Sequence, residues 1–155
     1  MTPHFSLAGL FRSAHAAEDS DDPGQRPSHA QIASRLAEWR ARGHRSVRIL
    51  DLGCGRGDHL LRAVARAREL GFVSIEGRGI DPSPGHVRQA RHRAESETHP
   101  STSLTFEIGE PIGALAAEHD GAADLILLSE PRPYPCSPLG AALDRVCAGF
   151  VLSAG

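Results

Sequence analysis

Residues 47–58 read V-R-I-L-D-L-G-C-G-R-G-D, and the fold of this chain is decided there. A short apolar run, Val47, Ile49, Leu50 and Leu52, carries an acid at Asp51 and then meets Gly53, Gly55 and Gly57 at alternating positions. A helical pattern starts at Asp58. A strand that turns this sharply into a helix needs backbone free of Cβ atoms, and glycine also lets a ligand approach the main chain. The helix start beyond the turn directs free N–H groups at whatever lies there. The stretch reads as a cofactor-binding loop.

Working outward, the periodicity alternates between strand and helix. Ser28 to Arg42 is helical, with Ser28 as N-cap, Ile32, Leu36 and Trp39 near one face, and Gly43 as a stop. The first strand spans 47–52 and the next helix 58–70. A second strand over 73–80 ends at Asp81, although Glu76-Gly77-Arg78 reduces its expected core to Gly79-Ile80 and little more. A helix over 84–94 opens with Pro84 in its first turn, and 95–103 reads as a loop. A third strand over 104–108, a helix over 112–118 and a continuous apolar strand over 124–128 follow. Residues 129–138 hold four prolines and read as a loop, before a helix over 139–147 and a strand over 150–153. This order predicts an α/β fold with a doubly wound, mostly parallel five-stranded sheet and functional residues at the carboxyl ends of its strands.

The loop spacing is D-x-G-x-G-x-G, not the G-x-G-x-x-G of dinucleotide sites. That form resembles motif I of the class I S-adenosylmethionine-dependent methyltransferases, whose sheet is Rossmann-like. The resemblance extends from about Ser28 to the end of the chain, with motifs in the family's order. It implies S-adenosylmethionine as cofactor, with Asp51, Gly53, Gly55 and Gly57 at the methionine end and Cys54 as a small residue within the loop. Gly79-Ile80-Asp81 is similar to the family's second motif, which makes Asp81 the acid for both ribose hydroxyls. Two acceptor oxygens suit two vicinal donors. Read from the residues alone, Asp81 also suits a helix N-cap ahead of Pro84. Glu110, after Gly109, takes the place of the acid that reaches the adenine amino group, where aspartate is commoner. Ile112 is placed to pack on the adenine face or in the core. The segment Ser129-Glu130-Pro131-Arg132-Pro133-Tyr134 falls where the family holds its methyl acceptor. Glu130 and Tyr134 are the candidate catalytic residues there, against a plain stiff proline-rich loop.

The acceptor itself, a small molecule, RNA or protein, is not encoded in these motifs. Family members usually continue with a helix and two strands whose hairpin closes one sheet edge, and the sequence ends without them. The fifth strand is therefore expected as an exposed edge, a place for a second copy or another chain to pair. The same shortening puts turnover in doubt. One alternative is thus a non-catalytic or truncated cofactor-binding or scaffold subunit. The other is an NAD-dependent oxidoreductase, which the glycine spacing disfavours.

Bulk properties narrow the rest. The 155 residues suit one domain over 28–155 behind an acidic, turn-rich segment over 1–27, read as flexible. No apolar run approaches the ~20 residues of a membrane span, and residues 5–11 lack the basic flank of a signal peptide. A cytoplasmic location is the default. Cys54, Cys136 and Cys147 have neither metal nor disulfide spacing, and the nine histidines read as scattered surface residues, so no metal is expected. All 17 basic residues are arginine; residues 35–93 carry a balance of +7 and residues 95–155 one of −7. A basic half invites an anionic partner such as nucleic acid. Few aromatics accompany the arginines for base stacking, which disfavours that partner.

Overall fold

Strand β1 (Ser46–Leu52) is buried over nearly its whole length because it is the middle of the sheet. The computed structural model describes residues 27–154. In it β1 is flanked by β2 (Ser74–Asp81), then β3 (Thr102–Ile108), and on its other side by β4 (Ala123–Pro131), then β5 (Cys147–Ala154). The order is β3-β2-β1-β4-β5, and every pairing is parallel. The expectation of a mostly parallel sheet becomes, for the described residues, an all-parallel one. The reading of residues 1–27 as flexible and free of a signal peptide lies outside the described residues, apart from Pro27, which is buried.

Alternation along the central strands builds two cores. Val47 and Ile49 of β1 and Leu125 and Leu127 of β4 face α1 (His29–Ala41), α2 (Asp58–Glu69) and α3 (Pro84–Ala94). Leu50, Leu52, Ile126 and Leu128 face the other way, onto α4 (Pro111–Ala116) and α5 (Pro138–Val146). Side chains of successive strand residues point to opposite faces, so a run such as Leu125–Leu128 must be covered on both. Each fully buried Leu or Ile contributes roughly 1.5–3 kcal/mol by leaving water. The helices begin where their caps dictate. Ser28 and Gln31 form a reciprocal capping box at α1, and Ser83 and Ser137 cap α3 and α5 ahead of a proline.

Two strands run further than their sequence suggests. β2 is paired through Glu76-Gly77-Arg78 because Arg78 finds acids on neighbouring elements. Arg78 donates to Glu107 of β3 at 2.8 Å and to Glu118, beyond the end of α4. Arg48 of β1 donates to the same Glu118 at 2.8 Å and to Glu76 at 3.0 Å. Burial alone would push the Glu118 carboxyl up, but the two guanidiniums outweigh it and hold it below the usual value. The glycines of β2 make room: a Cβ on Gly79 would press into Phe106 and Cys54. β4 likewise continues past Leu128 to Pro131, which pairs with Ala154 across an irregular register. Pro131 lies past the last residue of β4 paired with β1, at an irregularity of the β4–β5 register, where a missing N–H is tolerated.

Candidate functional site

The switch point of this sheet lies between β1 and β4, from which the chain winds outward in opposite directions. A crevice at the carboxyl ends of the strands is expected there, and a cavity of about 630 Å³ occupies it, within the ordinary size of a small-molecule site. Gly53 and Gly55 form one wall. Asp81 and His86 stand at the end of β2 and the start of α3, and Glu110, Pro111 and Ile112 at the start of α4. Leu128, Ser129, Glu130, Pro131 and Pro133 close the side of β4, with Leu139 of α5 below them.

The glycine loop owes its shape to three positive φ angles, +77° at Gly53, +55° at Gly55 and +84° at Gly57. That region is costly for residues bearing a Cβ. Space matters as much: a Cβ on Gly53 would collide with Ser129 Oγ, and one on Gly57 would come within 2.9 Å of Phe106. Gly57 precedes α2 directly, and Asp58 places an acid in that helix's first turn, where the dipole favours it. Backbone hydrogen bonds from Gly53 and Cys54 to the Ile80 carbonyl, 2.8 and 2.9 Å, tie the loop to β2.

Asp81 is the hinge of the arrangement. One carboxylate oxygen accepts from the Gly55 N–H at 2.8 Å. The other accepts from the Ser83 N–H at 2.9 Å and lies 3.1 Å from His86 Nδ1. Burial raises its proton affinity, but the N–H donors of Ser83 and Gly55 and the His86 ring lower it further, so the carboxyl sits below its usual value. Asp81 thus stays ionised while joining the loop to the second strand. The N-cap of α3 is Ser83, so Asp81 is not itself the cap; it braces the helix start through Ser83 and His86 while lining the cavity.

The other residues singled out in the sequence are placed unevenly. Asp51 is fully buried at the strand end, and Cys54 is buried with it. Glu110 stands before α4 as its N-cap, with its side chain on the cavity. Glu130 lines the cavity, whereas Tyr134 is 82% exposed and its carbonyl, not its ring, is used, accepting from Ser137. Ile112 is 48% exposed and lines the cavity, so it is no core residue. Two contributors were missed. His86 was read as one scattered histidine among nine, and its signal was its position in the first turn of the helix after Asp81. Ser129 approaches Gly53 across the switch point, which only the strand order reveals.

Residues 43–146 match a protein family described as a methyltransferase domain. No curated protein sequence matches the chain. Among solved structures, WbdD, described as a bifunctional kinase-methyltransferase, is 28% identical over 61% of this chain with a TM-score of 0.49. A putative class I S-adenosylmethionine-dependent methyltransferase from Listeria monocytogenes is 19% identical over 63%, TM-score 0.51. MnmC2 from Aquifex aeolicus is 17% identical over 76%, TM-score 0.53. These last two likenesses concern the fold. The chain spans 19% of the length of WbdD, 28% of the Listeria protein and 45% of MnmC2.

Proposed function

Because the chain belongs to the methyltransferase-domain family, we propose that it transfers a methyl group from S-adenosylmethionine to an acceptor entering beside β4. One observation carries this reading: Gly55 and Asp81, from the two motifs, are joined by a 2.8 Å hydrogen bond on the wall of one cavity. The donor set of the site fits that cofactor. Its ammonium, ribose hydroxyls and adenine amino group are all hydrogen-bond donors, and the site offers carboxylates to receive them. The glycine wall is a cradle that a Cβ at Gly53 would fill.

In this reading Gly53, Gly55 and Gly57 shape the loop at the methionine end, and Asp51, buried behind the loop and off the cavity lining, supplies negative charge to that end from within the fold. Asp81 receives the ribose. Its carboxylate has about four acceptor positions, of which Gly55, Ser83 and His86 hold three. Receiving both hydroxyls therefore requires His86 to yield its place. Glu110 receives the adenine amino group, and Ile112 covers the ring. When bound, the cofactor supplies a methyl carbon already made electrophilic by its sulfonium. The protein's share is to hold the acceptor in line and keep water out, for which placement is worth more than acid–base help.

Labelled S-adenosylmethionine incubated with the purified chain and a cell extract tests this. The expected result is label in one acceptor fraction of small molecules, RNA or protein. Cofactor binding without any transfer would instead favour a non-catalytic cofactor-binding subunit.

A further inference from the structure

Most carboxylates of the described residues are matched by arginine. Glu38, Asp58, Glu69, Glu76, Glu97, Glu107, Glu118, Asp120 and Asp144 each pair with one. Of the remaining acids, Glu95 meets His92, Asp124 accepts from the Arg48 N–H, and Asp51 and Asp81 have their own interactions. Among the described residues, Glu110 and Glu130 are the two whose side chains have no hydrogen-bond or ion-pair partner, and both line the same 630 Å³ cavity.

Arginine is kept off that cavity by an independent arrangement. No arginine of the described residues lines it, in a chain with 17 basic residues. The loop beside Glu130 shows how. Pro131 and Pro133 face the cavity, while Arg132 between them is drawn to Asp144 of α5 at 2.7 Å. The two prolines form part of the wall, and the guanidinium between them is held on α5 instead of the cavity. Hydrogen bonds from Ser137 to the Tyr134 carbonyl, 2.7 and 2.9 Å, fix the far end of this loop. The resulting subsite has apolar walls from Leu128, Pro131, Pro133 and Leu139 and one unmatched carboxylate, Glu130.

We infer that the methyl acceptor is a small amine received by Glu130, not a phosphate ester, carboxylate or nucleic acid; this rests on the methyl-transfer reading above. Glu110 faces the cofactor's adenine in that reading, which leaves Glu130 for the acceptor. Anions entering here meet carboxylates and no guanidinium, whereas an ammonium finds a counter-ion beside apolar walls. The ammonium gives one proton to the Glu130 carboxylate. The freed nitrogen lone pair then forms the N–C bond as the S–C bond breaks with its electron pair left on sulfur. Glu130 later sheds its proton to water, and the product leaves as a methylammonium.

The test uses benzylamine, benzyl alcohol and benzoate, which share an apolar body and differ in charge, titrated calorimetrically into the full chain saturated with S-adenosylhomocysteine. Benzylamine is expected to bind about tenfold or more tighter than benzoate, with the alcohol between them, and Glu130→Gln to erase the preference. Glu130 is exposed and has no partner in the described residues, so the substitution leaves folding and S-adenosylhomocysteine affinity as they are. Benzoate binding as well as benzylamine, a preference that survives in Glu130→Gln, or binding of none of the three overturns the inference. Failure of S-adenosylhomocysteine itself to bind would overturn the cofactor reading instead, so the two failures are distinguishable.

Discussion

Substituting Asp81 by Asn isolates the group that joins the glycine loop to the end of β2. The carboxylate is 6% exposed and accepts backbone N–H groups on both oxygens, from Gly55 at 2.8 Å and from Ser83 at 2.9 Å. Asparagine replaces one oxygen by an NH₂ donor. Whichever way the amide lies, one of these backbone donors faces another donor and loses its partner. Leaving one buried donor unmatched costs about 1–3 kcal/mol, and each kcal/mol lowers Tm by roughly 2–4 °C in a chain of this size. In the role proposed for Asp81, losing a charge-assisted bond to a ribose hydroxyl would cost about 1.5–3 kcal/mol, or roughly 10- to 100-fold in affinity. The wild-type carboxyl lies below its ordinary value in the folded state. Its stabilisation is therefore present above the unfolded value of about 3.9 and is lost as pH falls through the folded one. The variant should lack that acid limb. Thermal melts across pH, with titration calorimetry of S-adenosylmethionine, read all three effects. A variant that melts and binds like wild type would refute the role given to Asp81.

Three further outcomes follow from the loop, the charge network and the acceptor wall. Gly57→Ala imposes a φ of +84° on a residue with a Cβ and brings that atom within 2.9 Å of Phe106. A loss of about 1–2 kcal/mol from the backbone alone, enlarged by the collision, should appear in denaturant unfolding, and an unchanged midpoint would contradict the packing described. Glu118→Gln removes a 6%-exposed charge shared by Arg48 and Arg78, at a cost of about 1–3 kcal/mol after allowance for the partly exposed guanidiniums. Because the Glu118 carboxyl is held low, this contribution is present above the unfolded value of about 4.3 and vanishes as pH falls through the folded one. Equal stability of variant and wild type at neutral pH would refute it. Tyr134→Ala, at an 82%-exposed side chain, should leave kcat and KM for an identified acceptor within about twofold, as for other surface substitutions, and a larger loss in either would return the ring to the acceptor site.

The strand–loop–helix unit at 47–58 was legible because its signals are local. An apolar run, three glycines and a helix period leave one folding solution, and Asp81 was found by counting one helix and one strand onward. What stayed hidden depends on pairs distant in sequence. β2 looked weak at Glu76-Gly77-Arg78 because its support comes from Glu107 and Glu118, some 30 to 40 residues on, and single-residue β preference carries no account of such partners. The end of β4 was hidden by Pro131, whose tolerance depends on lying beyond the pairing with β1 at an irregular register. Ser129 and His86 belong to the site through strand order and helix phase, neither of which is written in a motif. The wall formed by Pro131 and Pro133 needs Asp144 to draw Arg132 away, a contact between a loop and the helix after it.

Titration calorimetry of the purified chain with S-adenosylmethionine, and separately with NAD, tests the central claim most directly. The account predicts saturable one-site binding of S-adenosylmethionine, weakened by Asp81→Asn, and no heat from NAD beyond dilution. Binding of NAD alone, or an affinity for S-adenosylmethionine indifferent to Asp81, would contradict it.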